Sequence, residues 1–199
     1  MNTGYTIQQY LLDRANIQET VNKITLYYDT DNPDALADEC YAPGEIAIDY
    51  TSMFAGEPLV VSNRQWAADA IGMMRALDAK QHVVTGLVIG QLPQPMGAAA
   101  GNNNTLLPPP DHCTVVANVN GHIQRKAAAA GESSVAGGGV GSMMHNGGRY
   151  EFELVRIKGL EEAGKNPWRV RKHKCILTWS DGNPHVMEPM KDAPVVTRA

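Results

Sequence analysis

Apolar residues recur at three- and four-residue steps along the start of the chain: Ile7, Tyr10, Leu11, Ile17, Val21, Ile24 and Tyr28. That spacing predicts one apolar stripe on a helix of about six turns. Thr6 with Gln9 three positions on has the form of a capping box that would open it. Asn32-Pro33 ends this helix and starts another, with Asn32 as N-cap and Pro33 at the first helical position. A short helix through Leu36 and Cys40 should then stop at Pro43-Gly44. From Glu45 the period falls to two: Ile46, Ile48 and Tyr50 share one face, Glu45, Ala47 and Asp49 the other. Gly56-Glu57-Pro58 reads as a turn and residues 59–61 as a short strand. Ser62 with Gln65 repeats the capping-box form and opens a helix that turns Trp66, Ala70, Ile71, Met74 and Leu77 inward.

The rest of the chain reads as strands. Residues 81–89, 113–120, 149–158 and 168–179 have strand patterns. Two irregular insertions separate them, residues 93–110, rich in Ala, Asn and Pro, and residues 127–148, rich in Ala, Gly and Ser. Residues 159–167 look like a hairpin loop bending at Gly164, and the tail after Pro184 carries no pattern. Helices followed by long strands predict a single α+β domain over residues 1–199, with helices packed on the concave face of a curved, mostly antiparallel sheet. Such a cone encloses a natural small-molecule pocket.

Composition narrows the partners. The 199 residues are 43% hydrophobic and 19% charged, with a net charge of −4. An acidic balance argues against nucleic acid or anionic lipid as partner. Arg169, Arg171, Lys172 and Lys174 are the exception, and they read as a solvated strand face. No apolar run approaches the roughly 20 residues of a membrane helix, and the first residues lack a signal-peptide pattern. Cys40, Cys113 and Cys175 are odd in number and without metal-type spacing, as expected for buried thiols in a reducing, cytoplasmic setting. The histidines likewise show no metal spacing.

Candidate chemistry gathers where the first helix ends. Tyr28-Asp29 places a carboxylate beside a phenol, and the strands that follow carry Tyr50 and His82. An imidazole serves as base and then acid near neutral pH. A carboxylate orients it, or acts as base itself. Tyr50 either packs in the core or meets a ligand oxygen. Asn118 either contacts a ligand or belongs to a buried amide network. Arg149 and Glu151 share one strand face and read first as a solvated ion pair. Asp31 and Asp34 suit capping and the first helical turn.

Three stretches carry a family resemblance: Tyr28-Asp29-Thr30-Asp31 running to Leu36, Ala42-Pro43 through Ile48-Asp49-Tyr50, and Gln81-His82-Val83 with Gly86. Together with the element order they resemble the SnoaL-like branch of the NTF2-like superfamily, and within it the scytalone dehydratases. The resemblance implies an NTF2-like cone, no cofactor, association as a dimer or trimer through the open sheet, and a role in secondary metabolism. It also implies that His82 and Asp29 are catalytic, and that Tyr28 and Tyr50 bind substrate. The family's second catalytic histidine falls nearest Asn118, with His122 four residues on, and its small polar pair falls near Arg149 and Glu151. Asn118 cannot shuttle a proton, so the pocket could persist while the reaction differs.

The expectation is therefore an acid/base enzyme (dehydratase, isomerase or cyclase) acting on a small apolar oxygenated metabolite, with His82 as proton shuttle, Asp29 as its partner or a second base, and Tyr28, Tyr50, Asn118, Arg149 and Glu151 contacting substrate. Two alternatives stay open. One is an epoxide hydrolase of the limonene-epoxide-hydrolase type, part of whose Asp–Arg–Asp set Arg149 and Glu151 could imitate. The other is a non-catalytic binding or assembly module, which predicts that Asp29 and His82 point away from any shared cavity.

Overall fold

Thr6 caps the longest helix, α1 (Ile7–Asp29), through the expected reciprocal pair: its hydroxyl accepts from the Gln9 N–H, and the Gln9 side chain accepts from the Thr6 N–H. The computed structural model describes residues 4–94, 108–125 and 141–187. Only the later part of the α1 stripe is core. Ile17, Val21, Ile24 and Tyr28 are buried, whereas Ile7 and Leu11 are exposed. The earlier half is anchored by a polar residue instead. Buried Asp13 accepts from the Tyr5 hydroxyl at 2.7 Å and from Trp168 Nε1 at 2.9 Å, and pairs with Arg156. The periodicity missed this because a paired carboxylate can be buried where the stripe asks for an apolar side chain.

Asn32 caps α2 (Pro33–Ala35), which runs into a π-helical turn, Leu36–Cys40. Strand β1 (Glu45–Asp49), α3 (Thr51–Phe54), β2 (Leu59–Ser62) and α4 (Asn63–Arg75) follow. Then come the long strands β3 (Ala79–Gly90), β4 (His112–Gln124) and β5 (Met143–Arg156), helix α5 (Lys158–Glu162), strand β6 (Trp168–Gly182) and a 3-10 turn, Pro184–Met187. The six strands form one curved sheet in the order β2-β1-β6-β5-β4-β3, antiparallel except where β1 lies parallel to β6. The core lies between α1, α4 and the sheet's inner face, with Ile46, Ile48, Val115, Phe152, Leu154, Trp168 and Val170 buried there. Each such fully buried large side chain contributes about 1.5–3 kcal/mol.

Three expectations change. Strand β5 begins at Met143, inside the second expected insertion, and pairs with β4 down to Gln124. Its Gly147-Gly148 pair hides the alternation, and backbone packing requires the second glycine. A Cβ on Gly147 would meet the Trp179 ring at 2.5 Å, and one on Gly148 the Ile176 carbonyl oxygen at 1.9 Å. Residues 159–167 include α5 rather than forming a plain loop, with Gly164 at φ +69 behind it. Arg169 does not join a solvated face: it is buried and donates to the carbonyls of Asp38, Asn166 and Trp168. Residues 95–107 and 127–140 of the expected insertions lie outside the described residues. Cys40, Cys113 and Cys175 are buried free thiols. Among the described residues, no helix is long and apolar enough to cross a membrane.

Candidate active site

The end of α1 is strapped to the start of β3 by two side-chain links. Asp31, in the left-handed conformation that reverses the chain, pairs with Lys80 at 2.8 Å. Two residues away on both elements, Asp29 meets His82. Its Oδ1 lies 2.7 Å from His82 Nδ1, and its Oδ2 accepts the His82 backbone N–H at 2.8 Å. A carboxylate that accepts from Nδ1–H holds the imidazole in one tautomer and leaves Nε2 as the lone-pair nitrogen. The dyad is largely shielded, with 11% of the His82 side chain and 19% of the Asp29 side chain exposed. Opposite His82 on β4 stands Gly121, where a Cβ would sit 3.6 Å from the imidazole Cδ2 and 2.7 Å from Asn146 Oδ1. Glycine there lets the ring and the Asn146 amide approach from either side.

His82 lines a narrow cleft with a cavity volume of about 40 Å³, between the inner sheet face, α3 and α4. Tyr28, Tyr50, Tyr150, Asn146 and the dyad's imidazole supply its polar groups; Met53, Phe54, Met74 and Ile123 are among its apolar walls. Few polar groups on a mostly apolar wall suit a small oxygenated ligand. The Tyr28 ring meets the His82 ring edge-on at 6.0 Å. Burial pushes the Tyr28 hydroxyl up to about 12 and holds Tyr50 and Tyr150 well above the usual phenol range. At neutral pH all three are therefore neutral phenols rather than anions.

Behind the tyrosines lies a second polar layer that the sequence reading missed. Tyr41 is fully buried: its hydroxyl accepts from Trp66 Nε1 at 3.0 Å and shares hydrogen bonds with Tyr28 at 3.3 Å and His173 Nδ1 at 2.8 Å. His173 Nε2 lies 3.4 Å from the Tyr50 hydroxyl. Burial alone pulls His173 down to about 3, so the imidazole is neutral. Strand parity offered the signal, since His173 shares a face with buried Cys175 while Lys172 and Lys174 take the other. Asn146 was missed because it falls in the glycine-rich stretch assigned to an insertion.

Of the residues singled out from sequence, Tyr28, Asp29, Tyr50 and His82 come together here. The others do not. Asn118 is exposed on the outer sheet face, because its inward neighbours on β4 are Ala117 and Val119. It leans over Gly86, whose Cβ would meet its Nδ2 at 3.1 Å. His122 shares that outer face and contacts His145 across the strand pair, Nδ1 to Nδ1, at 2.7 Å. Arg149 and Glu151 also face outward and pair with each other at 3.3 Å. Among the described residues the lining holds no arginine, and Arg149 and Glu151, which motivated the epoxide-hydrolase alternative, lie outside it. The binding-module alternative loses its distinguishing expectation, because Asp29 and His82 do meet beside a cavity. Among the described residues, no three His, Cys, Asp or Glu side chains stand together as a metal site.

Comparison with known proteins gives the same architecture. The model of the SnoaL-like domain matches residues 9–174. No sequence among the curated proteins matches. Of the solved structures, the Kfla4162 protein of Kribbella flavida superposes with a TM-score of 0.65 at 20% identity, over 88% of this chain and 97% of that one. A candidate scytalone dehydratase from Novosphingobium aromaticivorans gives 0.57 at 12% identity, over 95% and 96%. A hexachlorocyclohexane dehydrochlorinase from Novosphingobium barchaimii gives 0.57 at 13% identity, over 86% and 90%. At these identities the likeness is one of fold.

Proposed function

Because the chain belongs to the SnoaL-like family, and Asp29 clasps His82 against a tyrosine-lined cleft, we propose that it is a cofactor-independent acid/base enzyme. Its reaction is a lyase or isomerase step on a small, largely apolar, oxygenated molecule. The observation that carries this reading is the two-point hold of Asp29 on His82, through Nδ1 and the backbone N–H. A proton shuttle needs its tautomer fixed and its other nitrogen open to a ligand, and His82 both meets Asp29 and lines the cleft.

In this mechanism His82 Nε2 takes a proton from substrate carbon or oxygen, and the imidazolium that forms is stabilised by the carboxylate at 2.7 Å. The same proton then goes to a departing hydroxyl, giving dehydration, or to another substrate atom, giving isomerisation. Tyr28 and Tyr50 hydrogen-bond substrate oxygens, and a neutral phenol beside a developing enolate oxygen lowers the barrier without ionising. General base catalysis of this kind contributes roughly 10²–10⁴-fold. Elimination is the favoured direction, since two of the similar folds are named for removing water or hydrogen chloride. Self-association belongs to the same reading, through the outer sheet face, where Val83, Val88, Val116 and Trp179 are exposed.

A panel of small polyketide and terpenoid compounds tests the proposal by thermal shift and turnover, on wild type and His82→Ala. Binding to the native state raises its melting temperature by mass action. A compound that stabilises wild type and is converted, with conversion lost in His82→Ala, is the expected result. Equal stabilisation of both proteins without conversion of any compound would assign the cleft to binding alone.

A further inference from the structure

The second polar layer dictates which way hydrogen bonds point in the cleft. Tyr28, Tyr41, His173 and Tyr50 form one chain of contacts, 3.3, 2.8 and 3.4 Å long. A neutral imidazole carries one N–H and each phenol one O–H. Three contacts consume three of these four hydrogens, and the fourth closes the ring between Tyr50 and Tyr28 until a ligand in the cleft takes it. Tyr150, also hydrogen-bonded to Tyr50, adds one hydrogen and one contact and leaves the balance unchanged.

Which tyrosine keeps the spare hydrogen depends on the His173 tautomer. The short contact is Tyr41 to Nδ1 at 2.8 Å and the long one Tyr50 to Nε2 at 3.4 Å. An acidic phenol donating to a basic ring nitrogen makes the stronger bond, which assigns the short contact to Tyr41 O–H and the proton of His173 to Nε2. Trp66 Nε1 can only donate, so Tyr41 accepts from it at 3.0 Å. With its own hydrogen committed to His173, Tyr41 must also accept from Tyr28. No charged group is needed for this order: His173 sits among the rings of Tyr41, Tyr50, Tyr150 and Phe152, the last two at 4.6 and 4.5 Å.

We propose that His173, held as its Nε2–H tautomer, is a positioning residue that makes Tyr28 an acceptor and Tyr50 a donor toward the cleft. The site then selects molecules with a hydroxyl beside an acceptor oxygen. With no ligand bound, Tyr50 turns its hydrogen to Tyr28 or Tyr150; a ligand's acceptor oxygen takes it over. The inference rests on the reading of the cleft as a ligand site and specifies the substrate class it would take.

The test uses the full chain and two probes of one skeleton. Guaiacol offers one hydroxyl and one ether oxygen; veratrole offers two ether oxygens, one of which would face the acceptor Tyr28. Wild type should bind guaiacol about tenfold more tightly, the effect of one unmatched polar contact. Breaking the chain by His173→Phe or, independently, Tyr41→Phe frees a second hydroxyl hydrogen and should bring the two affinities within about twofold. Histidine-labelled nitrogen NMR should show His173 protonated on Nε2 and bare on Nδ1 at neutral pH. A protonated Nδ1, equal probe affinities in wild type, or undiminished discrimination in both variants would overturn the proposal. Failure of both probes to bind wild type would instead sink the ligand-site reading, while the tautomer signal still decides the polarity of the chain.

Discussion

Replacing Asp29 by asparagine isolates the orienting carboxylate while keeping its shape. Asp29 makes two contacts with His82, at 2.7 Å to Nδ1 and 2.8 Å to the backbone N–H. An amide has one oxygen, so it can keep the backbone bond but must turn its NH2 toward Nδ1. That NH2 demands a lone pair on Nδ1 and drives the imidazole proton to Nε2, the nitrogen that should act as base. The fold should survive, at a loss of about 1–2 kcal/mol for one charge-assisted bond replaced by a neutral one. Turnover should fall roughly 10³- to 10⁴-fold in kcat/KM, about 4–5.5 kcal/mol of transition-state stabilisation, as expected when an orienting carboxylate becomes its amide. Urea unfolding measures the first quantity, steady-state kinetics on a compound from the panel the second, and nitrogen NMR reads the tautomer without any substrate. An Asp29→Asn protein with Nε2–H and full activity would refute the reasoning.

Further outcomes follow from the same geometry. His173 is held neutral by burial, its folded value near 3 lying below the ordinary histidine value of 6.5. Its contribution is therefore fully present above about pH 6.5 and lost as pH falls toward 3, by at most about 1.4 kcal/mol per pH unit. Urea unfolding at pH 7.5 and 5 should show that slope in wild type and its absence in His173→Phe. Gly148→Ala drives a Cβ to 1.9 Å from the Ile176 carbonyl oxygen and should destabilise by more than about 3 kcal/mol, or prevent folding, as judged by circular dichroism. Arg149→Ala, Glu151→Ala and Asn118→Ala, all on the outer face, should leave turnover within about twofold and stability within about 1 kcal/mol.

Much of the site could be read before the fold was known, and its limits are instructive. Tyr28 and Asp29 stand out because a capped apolar stripe ends there and an Asn-Pro pair forces the chain to turn. Tyr50 stands out because it shares parity with Ile46 and Ile48. Parity also decides where the reading failed. On β4 the inward set Cys113, Val115, Ala117, Val119 and Ile123 is wholly apolar, so Asn118 belongs outside; reading polarity as a ligand signal overrode that alternation. His173 was concealed by the lysines on either side of it, although its face is that of Cys175. Asn146 had no readable signal, because Gly147 and Gly148 erase the period next to it. The two-point contact of Asp29 with His82 joins residues 53 positions apart, and only the packing of α1 against β3 brings them together.

Carbon-bound hydrogen exchange tests the central claim most directly. A small aryl ketone that binds the cleft would be incubated with the protein in heavy water, and deuterium entry at the carbon beside the carbonyl followed by NMR. Wild type should accelerate exchange, and His82→Gln should bind the ketone equally well yet lose the acceleration. Exchange that proceeds undiminished in His82→Gln would contradict the assignment of His82 as the proton shuttle.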